Sequence, residues 1–168
     1  MKTKKRQGFS LLELMVVLSI IAILAMVVVP SYVSATAKEQ VRESLDIVEK
    51  LKARVELLYQ HANAMPASNE AAGLPAADKL LGNYVASIEL ENGAFHILFG
   101  SKAVTPLQGK ILTVRAITVV DSPASPLSWV CGNSIVPRGM EARGENRTSV
   151  PAAMLPVSCR AIRPADGH

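Results

Sequence analysis

Residues 9–29 read FSLLELMVVLSIIAILAMVVV, 21 residues in which only Ser10, Glu13 and Ser19 are polar. At about 1.5 Å of rise per residue, a helix of that length crosses about 30 Å, the thickness of a bilayer's hydrocarbon core. Before it stand Lys2, Lys4, Lys5 and Arg6, four positive charges in the first eight residues with no acid among them. That run holds the amino terminus on the cytoplasmic side and sends the chain beyond residue 29 outward. The 168-residue chain carries 18 Lys+Arg against 14 Asp+Glu, a formal charge of +4, so the leader holds the whole surplus and the remainder is neutral. A nucleic-acid reading from overall charge therefore fails. With 49% hydrophobic and 19% charged residues, the chain lies outside the disordered class. Its length allows one domain with an appendage.

Glu13 is the anomaly of the apolar run, because a carboxylate there costs roughly 2.5 kcal/mol or more to insert. Lying near the cytoplasmic end, it could also stay protonated or reach the headgroups. Three readings compete for residues 1–37. A secretory signal peptide would use Ala35-Thr36-Ala37 as its cleavage site, but the apolar stretch exceeds the usual core of about 7–15 residues, contains an acid and ends well before that site. A plain uncleaved anchor explains the length and gives Glu13 no role. The third reading is a prepilin-type leader.

Gly8-Phe9-Ser10-Leu11-Leu12-Glu13 resembles the amino-terminal signature of type IV pilins and the related pseudopilins: a short basic leader ending in Gly, then Phe, then Glu at the fifth mature position. Leu14–Val17, Ile20–Ala25, Pro30 and Tyr32 continue the resemblance. It implies cleavage between Gly8 and Phe9 by a prepilin peptidase, N-methylation of Phe9 by the same enzyme, and a role for Glu13 in subunit assembly. Ala22 departs from the family's usual Gly, and Ala35 from a frequent Tyr. Alanine is a far better helix former than glycine, which argues against local melting between Ala22 and Pro30.

Beyond Pro30, Val41, Leu45, Val48, Leu51, Val55 and Leu58 recur at spacings of four, three, three, four and three. This is one apolar stripe at helical period, with Glu39, Glu43, Glu49 and Glu56 set against Arg42, Lys50, Lys52 and Arg54 at offsets that favour pairing. The repeat is too short for a coiled coil and suits packing on a head. The expected organisation is a leader over residues 1–8, a long helix over 9–62 (9–29 in the membrane, 30–62 amphipathic) and a head over 63–168. Residues 66–83 read as a loop with one helical turn near Ala76–Leu81. Tyr84–Glu91, Asn92-Gly93 and Ala94–Phe99 read as a hairpin. Ile111–Val120 is the longest β-branched run, and Ser128–Cys131 adds a short strand. The fold class is α+β, a long amino-terminal helix on a small antiparallel sheet of three or four strands.

The resemblance extends into the head. Asn92-Gly93, Gly109-Lys110, Trp129-Val130-Cys131-Gly132 and Leu155-Pro156-Val157-Ser158-Cys159-Arg160 are similar to the carboxyl-terminal half of type IVa pilins. Two unpaired buried thiols are one reading of Cys131 and Cys159. An outward-facing head in an oxidising periplasm favours a disulfide closing a loop over 131–159, which contributes about 3.5 kcal/mol in the chain-entropy view. The segment between them has little periodicity and is not expected to order by core packing alone. Family members use this loop for filament contacts.

Rival chemistry is thin. His61, His96 and His168 are scattered, and no metal-ligand spacing, phosphate loop or nucleophile elbow occurs. No cofactor is expected, and no enzyme activity. Asn146-Arg147-Thr148 fits a glycosylation sequon and is read as chance. Arg138, Arg143, Arg147, Arg160 and Arg163 stand against Glu141, Glu145 and Asp166 in the tail, a balance that permits a weak DNA contact without demanding one. The leading expectation is a type IV pilin precursor held in the inner membrane of a Gram-negative cell with its head in the periplasm. It then joins copies of itself and other pilins, through an inner-membrane assembly platform, in an extracellular filament for adhesion, twitching motility or DNA uptake. The alternatives are a low-copy minor pilin that binds DNA, a type II secretion pseudopilin and an anchored periplasmic enzyme.

The processing reading is checked by intact mass. The mature protein should begin at N-methyl-Phe9, whereas a species starting at Lys38 would establish the ordinary signal peptide.

Overall fold

The computed structural model describes residues 8–122 and 124–161. Lys2, Lys4, Lys5, Arg6, Arg163, Asp166 and His168 lie outside the described residues. Two compact units divide between Ser34 and Ala35.

Helix α1 (Leu11–Ala62) begins where Ser10 caps it: the Ser10 Oγ accepts the Glu13 N–H at 3.2 Å and the Ser10 carbonyl accepts the Leu14 N–H at 3.2 Å. It stays helical through Ala22–Pro30, as the alanine there favours. It ends where Asn63 turns to φ 49° and its N–H reaches back to the Tyr59 carbonyl at 2.7 Å, a left-handed cap.

In the second unit the fully enclosed line along α1 is Ala37, Val41, Val48, Val55 and Tyr59, with Leu45, Leu51 and Leu58 only half-buried beside it. The sequence stripe advances by fewer residues per step than the 3.6 of a helical turn, so it drifts off the contact line. Polar residues fill the gaps where they can be satisfied. Ser44 donates to the Val41 carbonyl at 2.6 Å, and the Gln40 side chain accepts the Val104 N–H at 2.9 Å.

The sheet runs β1 (Val85–Glu91), β2 (Ala94–Phe99), β3 (Ile111–Val119) and β4 (Ser128–Cys131) in antiparallel order, with β5 (Met140–Ala142) also paired to β3. Asn92 and Gly93, both at positive φ, form the two-residue hairpin turn that brings Glu91 opposite Ala94. Alternation sends Ile88, Leu90, Phe95, Ile97, Phe99, Leu112 and Val114 into the core with α1. Trp129 of β4 packs 5.7 Å from Phe95, donates its indole N–H to Glu56 at 2.8 Å and lies beneath the Lys52 ammonium. Two charges read as a solvated helix face thus orient a sheet residue.

Two expectations need correction. The sheet has five strands, because β5 was not visible in the sequence: Met140-Glu141-Ala142 has no apolar alternation and forms only because β3 leaves an edge open. Ile117 pairs with Ser128 on one side and Ala142 on the other, so β5 continues the edge that β2 leaves at Arg115. Nor is the 132–158 segment without core packing, since Val150 and Leu155 are fully buried in the main cluster. The loop before β1 is also tied down. The Asn69 amide donates to the Pro75 and Ile88 carbonyls and its oxygen accepts the Leu90 N–H at 2.6 Å, covering the outer edge of β1. Its expected helical turn is a short 3-10 turn at Ala77–Lys79.

Phe95 is wholly buried where sheet, helix and Trp129 meet. Phe95→Ala should cost about 3–5 kcal/mol, read as a lower urea midpoint from the emission of Trp129, the sole tryptophan.

Candidate functional site

The first unit is defined by what it leaves uncovered. Phe9, Leu11, Leu12 and the large apolar residues onward to Val29 are all exposed, Phe9 at 75%. The helix is long and apolar enough to cross a membrane, with a mean hydropathy of 2.9 over its best window and none of that window buried. Of the polar residues here, Ser10 is used as the cap and the Ser19 hydroxyl donates to the Met15 carbonyl at 2.8 Å, so neither brings an unmet hydroxyl into lipid. The Glu13 carboxylate has no hydrogen-bond or ion-pair partner among the described residues. It occupies the third position of the helix, where the exposed N–H groups of the first turn favour negative charge. Ser10-x-x-Glu13 has the spacing of a capping box, a signal that sequence reasoning left unused.

In the head, Cys131 and Cys159 are joined by a disulfide. Cys159 is fully buried, and Gly132 beside Cys131 takes φ 56° with the Cys159 carbonyl only 2.6 Å from where a Cβ would stand. Only glycine fits that approach. The enclosed segment then runs along β3. Arg143 N–H donates to the Ala116 carbonyl at 2.7 Å, the Thr148 hydroxyl accepts the Thr113 N–H at 3.1 Å, and Ser149 exchanges hydrogen bonds with Ile111 at 2.8 and 2.9 Å. Asn146 holds the turn from inside. Its amide donates to the Gly132 carbonyl and Asn133, while its oxygen accepts both the N–H and the hydroxyl of Thr148. The sequon asparagine is therefore a structural brace.

On the sheet face turned away from α1, Arg147 gathers Glu89, Glu91 and Glu145 around its guanidinium. His96, 4% exposed, lies beneath this arginine. The Thr113 hydroxyl accepts the Arg147 N–H at 3.0 Å and stands 3.0 Å from His96 Nδ1. With its acceptor lone pair used by Arg147, the hydroxyl donates to Nδ1, which leaves the neutral ring's proton on Nε2, facing Glu91 at 3.8 Å. Burial, and after it the Arg147 charge, hold the His96 pKa below the ordinary 6.5 against the opposing pull of Glu91, Glu89 and Glu145.

Residues 37–160 match the pilin family of bacterial filament proteins, and residues 3–29 match the prokaryotic N-terminal methylation motif. The chain belongs to the pilin family. A fimbrial protein of Neisseria meningitidis serogroup B is 32% identical over 92% of this chain and 94% of its own length. A type IV major pilin of Neisseria gonorrhoeae is also 32% identical, over 92% of this chain and 87% of its own length. A fimbrial protein of Pseudomonas aeruginosa is 43% identical over 53 residues, covering 32% of this chain and 34% of its own length. The expected family and the α+β pilin fold are thus borne out.

This pilin's tail arginines are engaged within the head. Arg143 binds the Thr118 hydroxyl at 3.1 Å and faces Glu141 at 3.8 Å, Arg147 is ringed by carboxylates, and Arg160 donates to the Leu155 and Ala153 carbonyls. Arg138 is exposed and Arg163 lies outside the described residues. His96, read as scattered and surface or structural, is a buried strand residue. Its partner Arg147 is far away in sequence, so nothing local marked the pair.

A histidine whose folded pKa is depressed binds fewer protons in the folded than in the unfolded chain between the two pKa values. Its contribution is complete above the unfolded value of about 6.5 and is lost as pH falls from there toward the folded value. Urea midpoints of the pilin should therefore drop as pH is lowered below 6.5. His96→Gln, which keeps a partner for Thr113, should flatten that slope; an unchanged slope would remove His96 from the account.

Proposed function

We propose that this pilin is the structural subunit of a type IV pilus. Residues 1–8 serve as the leader, residues 9–29 as membrane anchor and then filament core, and residues 30–62 as the amphipathic half of the helix. Residues 63–168 form the head with its disulfide-bounded loop. The observation that carries the reading is the continuous exposed apolar surface from Phe9 to Val29, which must be covered by lipid before assembly and by other subunits after it. The full-length likeness to a type IV major pilin supports this role. The precursor waits in the inner membrane of a Gram-negative cell with its head in the periplasm. A prepilin peptidase cuts between Gly8 and Phe9 and methylates the new terminus. An inner-membrane platform then adds the subunit to a filament of its own copies and other pilins, for adhesion, twitching motility or DNA uptake. A weak DNA contact would rest on Arg138 and Arg163, since Arg143, Arg147 and Arg160 already have acceptors.

Glu13 is the assembly residue in this reading. Cleavage leaves a positive amine on Phe9, four residues before Glu13. A lone acid in hydrocarbon is costly, and an ammonium within reach relieves both groups. The amine of a staggered neighbour can reach that depth without unwinding the capped first turn. Glu13→Val should leave insertion and cleavage intact, since apolar character rises and the cut site is untouched, while pilus yield falls at least tenfold by electron microscopy of sheared surface material. Normal filament numbers made from the variant alone would make Glu13 a passenger.

A further inference from the structure

An open cleft of about 720 Å³ lies at the end of the head where α1 finishes. Its size falls within the range of small-molecule sites. Three turns converge there: Asn63 after the helix, Asn92 in the β1–β2 hairpin and Asp121 after β3. Their φ angles are 49°, 50° and 59°, and they are the only non-glycine residues at positive φ among the described residues. Glycine adopts such angles without steric cost and occupies the other positive-φ turns. A hairpin of this type favours asparagine at its first position; the other two turns have no such need of a polar side chain. Asn63, Asn92 and Asp121 have no side-chain hydrogen bond or ion pair among the described residues. Non-glycine residues in the left-handed region gather at ligand sites more than elsewhere.

The lining selects the ligand class. Asp121 and Glu141 face one cation, Arg143, whose guanidinium is already shared between Glu141 at 3.8 Å and the Thr118 hydroxyl. An anionic ligand would meet two carboxylates and no free positive charge. A metal ion would lack ligands, since no group of three or more His, Cys, Asp or Glu suited to one occurs among the described residues. Tyr59, 8% exposed, and Val119 supply an apolar wall. Amides that both donate and accept, a carboxylate that accepts paired hydroxyls and an aromatic wall together suit a flat, neutral, hydroxyl-rich ring. We propose that this cleft binds a neutral saccharide of about disaccharide size, a site separate from Glu13 and independent of how the filament assembles.

The test uses the full mature chain purified in a detergent without a sugar headgroup, titrated by calorimetry with lactose, maltose, chitobiose and sialyllactose. At least one of the three neutral disaccharides should bind with a millimolar or tighter Kd, and sialyllactose more weakly. The double variant Asn63→Gly, Asp121→Gly keeps both left-handed turns while deleting their side chains. It should lose about tenfold or more of that affinity with an unchanged circular dichroism spectrum. Tyr59→Phe, a smaller change, should weaken binding without touching either turn and serves if the double variant misfolds. Failure of all three neutral sugars to bind would overturn the proposal. So would tighter binding of sialyllactose, or neutral-sugar binding indifferent to the variants.

Discussion

Every peptide group of a strand buried on both faces must find a hydrogen-bond partner, and in this head that demand falls on β3. Its hairpin partner β2 serves it only as far as Arg115, and β4 serves Val114–Ile117 on the other edge. The remainder is met by the disulfide-bounded segment: β5 along one edge, and Gly132, Thr148 and Ser149 along the other. A stretch with little apolar periodicity is ordered because a neighbouring strand would otherwise be left with open groups. The disulfide keeps the segment near its station in the unfolded chain, which lowers the entropy lost on ordering it.

The second organising contrast lies along α1 itself. From Ala37 to Tyr59 one face is closed against Ile88, Phe95 and Leu112 and the other carries ion pairs such as Arg42–Glu39 and Lys52–Glu49. From Phe9 to Val29 every face is apolar and none is covered by the chain. The outer portion is built for a protein core beside water, the inner for hydrocarbon or other helices. Glu13 is the one unmatched group in the inner portion, so a specific demand for a partner can reside there.

How much of this was legible depends on the range of each interaction. The span, the hairpin turn at Asn92-Gly93 and the limits of β2 and β4 depend on neighbours in sequence, and periodicity reveals them. The amphipathic stripe was visible but displaced: Val41, Val48 and Val55 hold the contact line, whereas Leu45, Leu51 and Leu58 flank it, because residue type does not fix helix rotation against a sheet. The strand at Met140–Ala142, the bracing role of Asn146 and the His96–Thr113–Arg147 chain depend on partners tens of residues away and leave no local mark. Ser10 differs. Its capping relation to Glu13 was present in the spacing and was obscured by reading both residues only as interruptions in an apolar run.

The Cys131–Cys159 bond has a consequence for damage. A surface protease that cuts one peptide bond between Gly132 and Ser158 makes two polypeptides of one, yet the downstream piece stays covalently tied to β4. Leu155 and Cys159 remain in the core, and the fragment sits where it sat before. An exposed face can thus be nicked without being shed, and the cut is revealed only when a reductant opens the crosslink.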